Sequence, residues 1–251
     1  ALGIVPVEIE TGPEHRYQPT PELLDAAREE GEIHGLIVAS PSNPTGTMLD
    51  EGAMRALVSY CEREEIRLVS DEIYHVIASD FPGTTAASLT DKALVVNSFS
   101  KYFSMTGWRL GWMVVSPDLL RPVECLAQNR FISPPSLSQH AAVAAFDCHE
   151  ELRANLARYA ENRALLQAEL PKAGFTRLAP SDGAFYVYAD IGDLTNDSQE
   201  FCARMLAETG AAATPGLDFD GGRGHRTMRF SYAGSTEEVA AAMEALKRWR
   251  R

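Results

Sequence analysis

The chain has 251 residues, 45% of them apolar and 23% charged, enough for one large domain or two modest ones around a real core. That balance excludes wholesale disorder. With 23 basic against 35 acidic residues, a formal net charge of −12, it also excludes a general nucleic-acid or anionic-membrane surface, although a single phosphate pocket needs only one or two local cations.

In chain order, Ile4 to Ile9 reads as a strand, and Thr20-Pro21-Glu22 as a helix start with Thr20 as N-cap and Pro21 in the first turn. Gly35 to Ala39 is a short buried strand, about Asp50 to Glu64 an amphipathic helix, and Ile66 to Ser70 the next strand. Ala93 to Asn97 and Gly111 to Val115 are further strands. Strands interleaved with helices predict an α/β architecture with a mainly parallel sheet, whose ligands sit on loops beyond the strands' carboxyl ends. From about Ser136 to Leu170 the sequence predicts long helices with one interruption near Asp147-Cys148-His149, ending at Pro171 and Gly174. Gly183 to Tyr188 alternates like a strand, Ser198 to Thr209 is helical, Thr227 to Ser231 is a strand and Thr236 to Trp249 a closing helix. The expected division is a larger domain over 1–140, then a linking helix and a smaller α/β domain over 141–251. The Gly221-Gly222-Arg223-Gly224 cluster is too short for a phosphate loop and reads as a mobile connection.

The four cysteines, Cys61, Cys125, Cys148 and Cys202, are far apart without Cys-x-x-Cys spacing and read as reduced thiols of a cytoplasmic protein. The six histidines form no metal-ligand pattern; His149 reads as a solvated helix residue. No apolar run reaches bilayer length, no signal-peptide pattern is visible, and neither a nucleic acid nor a membrane is expected as a partner.

The segment richest in chemistry runs from Asn97 to Trp112. Two hydroxyls, Ser98 and Ser100, precede Lys101, and a Thr-Gly turn and Arg109 follow before the next strand. An amine, hydroxyls and a guanidinium in one loop suit a phosphorylated aldehyde held as a Schiff base. Three other segments carry weaker signals. Asn43-Pro44-Thr45-Gly46 is by itself only a turn. Asp71, at a strand end, could equally be a helix cap. Arg229, alternating with apolar residues in a strand, would ordinarily face solvent.

Taken together, Ser98-Phe99-Ser100-Lys101, Met105-Thr106-Gly107-Trp108-Arg109-Leu110-Gly111, the Asn43 turn, Asp71-Glu72-Ile73-Tyr74 and Arg229-Phe230-Ser231-Tyr232-Ala233 resemble the fold-type I, class I/II aminotransferases, which use pyridoxal 5′-phosphate. The resemblance implies that Lys101 forms the cofactor's Schiff base and then moves the proton as general base and acid. It implies that Asp71 pairs with the pyridine nitrogen, that Asn43 and Tyr74 hydrogen-bond the phenolic oxygen, and that Ser98 and Arg109 bind the phosphate. Arg229 would grip the substrate carboxylate, with Asn43 beside the substrate. Ser100 could bind the phosphate or only shape the loop. Glu72 reads as structural, and Trp108 and Trp112 as packing residues. The family usually has glycine where this chain has Asp220, a departure that touches the loop before Arg229.

The implied activity moves an amino group between an α-amino acid and a 2-oxo acid, in a homodimer. A carbon–sulfur β-lyase of the same fold shares every motif quoted, and a non-catalytic aminotransferase-like fragment is the rival from another class. The resemblance covers essentially the whole sequence and corresponds to the C-terminal two-thirds of a family member. Upstream, family members carry a Gly/Ser turn that cradles the cofactor phosphate, an aromatic that stacks on the ring, and two strands of the large sheet. One missing strand would lie between the first strand here and the rest, the other beside the strand from Gly111. The natural protein is therefore expected to begin before Ala1, the alternative being an inactive, weakly cofactor-binding remnant.

Overall fold

The structure is a computed structural model and describes residues 3–249. By its internal contacts the chain divides into two units. The first comprises the described residues of Ala1–Pro41 and Met48–His149, the second those of Ser42–Thr47 and Glu150–Arg251.

In the first unit β1 (Gly35–Ala39), β2 (Arg67–Asp71), β3 (Leu94–Ser98) and β4 (Gly111–Val114) form one sheet in that order. The first three are parallel and β4 is antiparallel to β3. The helix α1 (Pro21–Arg28) begins as expected, the Thr20 hydroxyl accepting the Leu23 N–H at 3.4 Å. The helix α2 (Glu51–Arg63) is capped by Asp50, which accepts the Ala53 N–H at 2.8 Å. It buries Met54, Leu57, Val58, Tyr60 and Cys61 in one core with Leu36, Val38, Leu68 and Val95. Tyr60 also donates to Asp25 at 2.6 Å, and Arg28 to Glu64 at 2.6 Å, which locks α1 onto α2.

Two expectations fail in this unit. Ile4 to Ile9 is not a strand: a strand needs a neighbour to close its ladder, none of the described residues pairs with it, and Ile4 and Val5 are 79% and 81% exposed. Conversely α3 (Pro117–Arg130) has no counterpart in the sequence reading. Pro122 interrupts its pattern, and it buries no residue, so it has no apolar stripe to betray it. The helix α4 (Ser136–Ala145) and the start of α5 (His149–Glu169) leave their break where the sequence placed it.

The second unit holds an antiparallel sheet in the order β5 (Arg177–Leu178), β6 (Tyr186–Asp190), β8 (Thr227–Ser231), β7 (Thr214–Pro215). The rest of α5, with α6 (Ser198–Thr209) and α7 (Thr236–Arg248), contributes Leu166, Phe201, Met205, Met243 and Leu246 to a core shared with Val187, Met228 and Phe230. Asp197 caps α6 through two backbone N–H groups, and Ser235 and Glu238 form a reciprocal capping box on α7. The strand β6 begins later than the alternation from Gly183 suggested. Ala184 sits at φ 57°, outside extended space, and the Gly183 N–H is held by the Gly46 carbonyl at 2.9 Å.

The glycine cluster is not a loose connection either. The Asp220 carboxylate accepts the N–H groups of Gly222 and Arg223 at 2.8 and 3.0 Å, and Gly224 is buried. Asp220 thus makes an Asx-type turn of the segment, which gives the departure from the family pattern a local structural role. Of the free cysteines, Cys61 and Cys202 are buried and their thiols are pushed up to about 11 by that burial, Cys125 is half-buried and Cys148 exposed. No helix among the described residues is long and apolar enough to cross a membrane.

Candidate active site

Asp71 ends β2, at the carboxyl edge of the parallel strands, opposite Val96 of β3. Its Oδ1 accepts the Ile73 N–H at 3.1 Å, which turns the chain sharply away from the strand. The next residue, Glu72, is 2% exposed and accepts the Ser70 hydroxyl at 3.0 Å and the Ala86 N–H at 2.8 Å on the same oxygen. Its own N–H reaches the Val96 carbonyl at 2.9 Å, so the expected structural role has definite partners: Glu72 fastens the turn carrying Asp71 and Tyr74 to the segment around Ala86. Tyr74 is 4% exposed, and the Lys101 Nζ lies 5.6 Å from its ring centroid.

Lys101 sits in loop 99–110, which joins β3 to β4. Backbone bonds close the loop on itself: Phe99 N–H to Leu110 O at 3.1 Å, Met105 N–H to Phe99 O at 3.1 Å, and Ser104 N–H to Lys101 O at 3.0 Å. The Thr106 hydroxyl adds a bond to the Ser100 carbonyl at 2.7 Å. The Ser98 hydroxyl accepts the Ser100 N–H at 3.0 Å and lies 3.1 Å from the Leu110 carbonyl, so it stands beside the residue next to Arg109. The Ser100 hydroxyl is 2.9 Å from that of Ser98. Arg109 takes a left-handed φ of 51° and donates to the Thr106 carbonyl at 2.9 Å, leaving the rest of an exposed guanidinium available. Phe99 anchors the loop from beneath, with Phe103, Trp112 and Phe146 rings 4.8–5.6 Å away. Trp112 packs edge-on against Phe99 while remaining 37% exposed, and Trp108 is 40% exposed.

Asn43 and Arg229 lie in the second unit. The turn 42–47 is closed by Gly46 N–H to Ser42 O and Ser42 N–H to Thr47 O, both at 2.9 Å, with Gly46 at φ +71°. A side chain on Gly46 would meet the Tyr186 carbonyl at 2.7 Å, so the turn requires glycine on two counts. Arg229 donates to Asn43 Oδ1 at 2.6 Å and to the Thr214 hydroxyl at 3.1 Å. A guanidinium only donates, so the Asn43 oxygen must face it and the Asn43 NH₂ is left to donate elsewhere. The rings of Tyr186 and Phe219 flank the guanidinium at 4.3 and 4.7 Å. Its Nε is buried without a hydrogen-bond partner among the described residues. This is no solvent-facing strand residue.

Lys101, Asp71, Tyr74, Ser98 and Arg109 thus fall in the first unit, and Asn43 and Arg229 in the second. Sequence reasoning missed Thr214, Tyr186 and Phe219 around Arg229. Tyr186 was visible only as strand alternation and Phe219 only as a loop aromatic, and no spacing ties either to the arginine. It also misjudged His149, which is half-buried with Nδ1 3.0 Å from the Tyr102 hydroxyl. Among the described residues no three His, Cys, Asp or Glu side chains group to hold a metal ion.

Glu72→Ala would leave the buried Ala86 N–H and Ser70 hydroxyl without their acceptor, an expected cost of about 2–3 kcal/mol. Glu72→Gln keeps an acceptor oxygen and should cost less. Urea denaturation of both variants measures the difference.

The model for the family described as aminotransferase class I and II matches residues 1–246. The valine–pyruvate aminotransferase of Mycobacterium tuberculosis is 48% identical over 253 residues, spanning 99% of this chain and 65% of that relative. An aspartate aminotransferase of Bacillus subtilis is 32% identical over 259 residues, spanning 98% of this chain and again 65% of the relative. Among solved structures, an aminotransferase from Mycobacterium tuberculosis matches with a TM-score of 0.92 at 47% identity, covering 97% of this chain and 63% of that one. A double mutant of Thermus thermophilus aspartate aminotransferase matches at 0.86 and 31%, covering 96% and 63%. The chain therefore spans about 65% of the length of the curated relatives it matches. With the lysine loop, the aspartate turn and the enclosed arginine in place, this chain belongs to the class I and II aminotransferases.

Proposed function

We propose that the protein transfers an amino group between an α-amino acid and a 2-oxo acid with pyridoxal phosphate as cofactor, held through Lys101. The observation that carries this reading is the closed loop that sets the Lys101 amine against the buried Tyr74, on the strand edge where Asp71 also ends. The donor set fits the group: an amine for its aldehyde, a carboxylate for its ring nitrogen, Tyr74 and the Asn43 NH₂ for its phenolic oxygen, and Ser98 with Arg109 for its phosphate. When bound, pyridoxal phosphate supplies an electron-withdrawing ring that makes the Cα proton of an amino acid removable.

The chain's own residues do the rest. The Lys101 amine takes and returns that proton as general base and acid. The Asp71 carboxylate favours the charged form of the ring nitrogen, and Tyr74 donates from a buried position. Arg229 binds the substrate carboxylate with a guanidinium held by Asn43, Thr214 and the nearby Tyr186 and Phe219 rings. A homodimer in the cytoplasm belongs to the same reading and rests on family membership. The relative named valine–pyruvate aminotransferase makes valine and pyruvate the first pair to assay. Release of pyruvate and ammonia from a cysteine conjugate, without transfer to an oxo acid, would choose a β-lyase instead.

Borohydride reduction of the cofactor-loaded natural protein should fix a pyridoxyl group on Lys101; peptide mapping to another lysine would refute the assignment. Asp71→Asn should keep some cofactor and lose turnover by about a hundredfold or more, roughly 2.7 kcal/mol of barrier, read from steady-state kinetics. Arg229→Lys keeps the charge but not the planar fork. It should weaken amino-acid and oxo-acid binding alike, with the cofactor's absorbance unchanged; lost cofactor with intact substrate affinity would contradict the role.

A further inference from the structure

Tyr102 follows Lys101 directly, and its hydroxyl lies 3.0 Å from Nδ1 of His149, the first residue of α5. We infer that His149 is a positioning residue for Lys101, acting through Tyr102. The inference rests on the proposed role of Lys101.

Backbone bonds tie Phe99 to Leu110 and Met105, and residues 100–103 form a bulge bonded within the loop, the Lys101 carbonyl accepting the Ser104 N–H and the Ser100 carbonyl the Thr106 hydroxyl. The bulge carries the amine. Bonds within the loop fix the bulge's shape, but its place has to be held as well, since a displacement of about 1 Å at a reacting group costs up to a hundredfold in rate. Tyr102 ties the bulge to a separate element, a helix start 47 positions away in sequence. Packing supports the tie on both sides. The Tyr102 ring meets Phe103 edge-on at 5.0 Å and lies 6.0 Å from the imidazole, and Phe103 meets Phe146 at 5.3 Å. Tyr102, Phe103, Trp112, Phe146 and His149 are among the residues lining a cavity of about 370 Å³, and the contact between hydroxyl and imidazole is half-buried. The hydroxyl donates to an unprotonated Nδ1 and accepts from a protonated one, so the tie survives either state of the histidine.

The test compares Tyr102→Phe, His149→Leu, their double variant and His149→Asn in the natural protein, with wild-type borohydride mapping alongside. Each single loss should lower kcat by about five- to twentyfold with KM within about twofold, and the double variant should fall no further than the worse single. Asparagine can place a polar atom near the Nδ1 position, and His149→Asn should recover most of the lost rate. In cofactor-free protein, amide hydrogen exchange over 101–104 should quicken in both single variants, with thermal midpoints within a few degrees of wild type. Unchanged exchange and kcat, or losses that multiply in the double variant, with the adduct on Lys101, would overturn the inference alone. An adduct on another lysine would overturn the functional reading and the positioning role with it.

Discussion

The antiparallel pairing of β3 with β4, which sets Ser98 opposite Gly111, is the constraint on which the lysine loop depends. The three strands before β4 run parallel, so their carboxyl ends share one edge, and the reversal into β4 forces the chain to double back there. A side chain on Gly111 would meet the Asn97 carbonyl at 2.6 Å, so the pairing closes this tightly only because glycine stands there. Loop 99–110 then has a fixed base, and its internal bonds, the left-handed Ser104 and Arg109, and the Phe99 anchor follow within that span. The lysine and the phosphate-binding candidates stand together because the reversal delivers them together.

What the sequence made legible was local. Helix starts at Thr20, Asp50 and Thr236, the strands read at Ile66–Ser70 and Ala93–Asn97 and found one residue further along, and the Asn43 turn all rest on interactions within a few residues, where residue type and spacing carry the information. The motif segments stood out for the same reason: Asp71 and Ser98 end strands, Asn43 lies in a turn and Lys101 in a loop of defined chemistry, whereas Arg229 lies within β8. What stayed illegible depended on partners far along the chain or on a pattern that was broken. Ile4 to Ile9 has strand-like residues that pair with no strand among the described residues, and α3 has neither an apolar stripe nor an uninterrupted run. Ala184 is turned out of extended space where residue type gives no warning. Tyr186 and Phe219 flank Arg229 through the pairing of β6 with β8 and a turn that no spacing rule connects to it. The Tyr102–His149 contact is of the same kind.

The arginines of this chain of net charge −12 differ in what satisfies them, which bears on the anion sites proposed above. Arg28 is paired with Glu64, Arg177 and Arg226 with Asp190, and Lys247 with Glu169, so these cations are already neutralised by carboxylates. Arg229 and Arg109 are not. Among the described residues Arg229 is held by an amide oxygen, a hydroxyl and two aromatic rings, and Arg109 by a backbone carbonyl. Neutral partners satisfy donors and fix geometry without cancelling charge, so the attraction for an incoming carboxylate or phosphate is retained. A carboxylate partner at either place would have to be displaced before an anion could bind. The Tyr186 and Phe219 rings, 4.3 and 4.7 Å from the guanidinium carbon, add cation–π contact without cancelling its charge. Global acidity repels anions in general, and in the proposed function these two arginines are the places where one would be accepted.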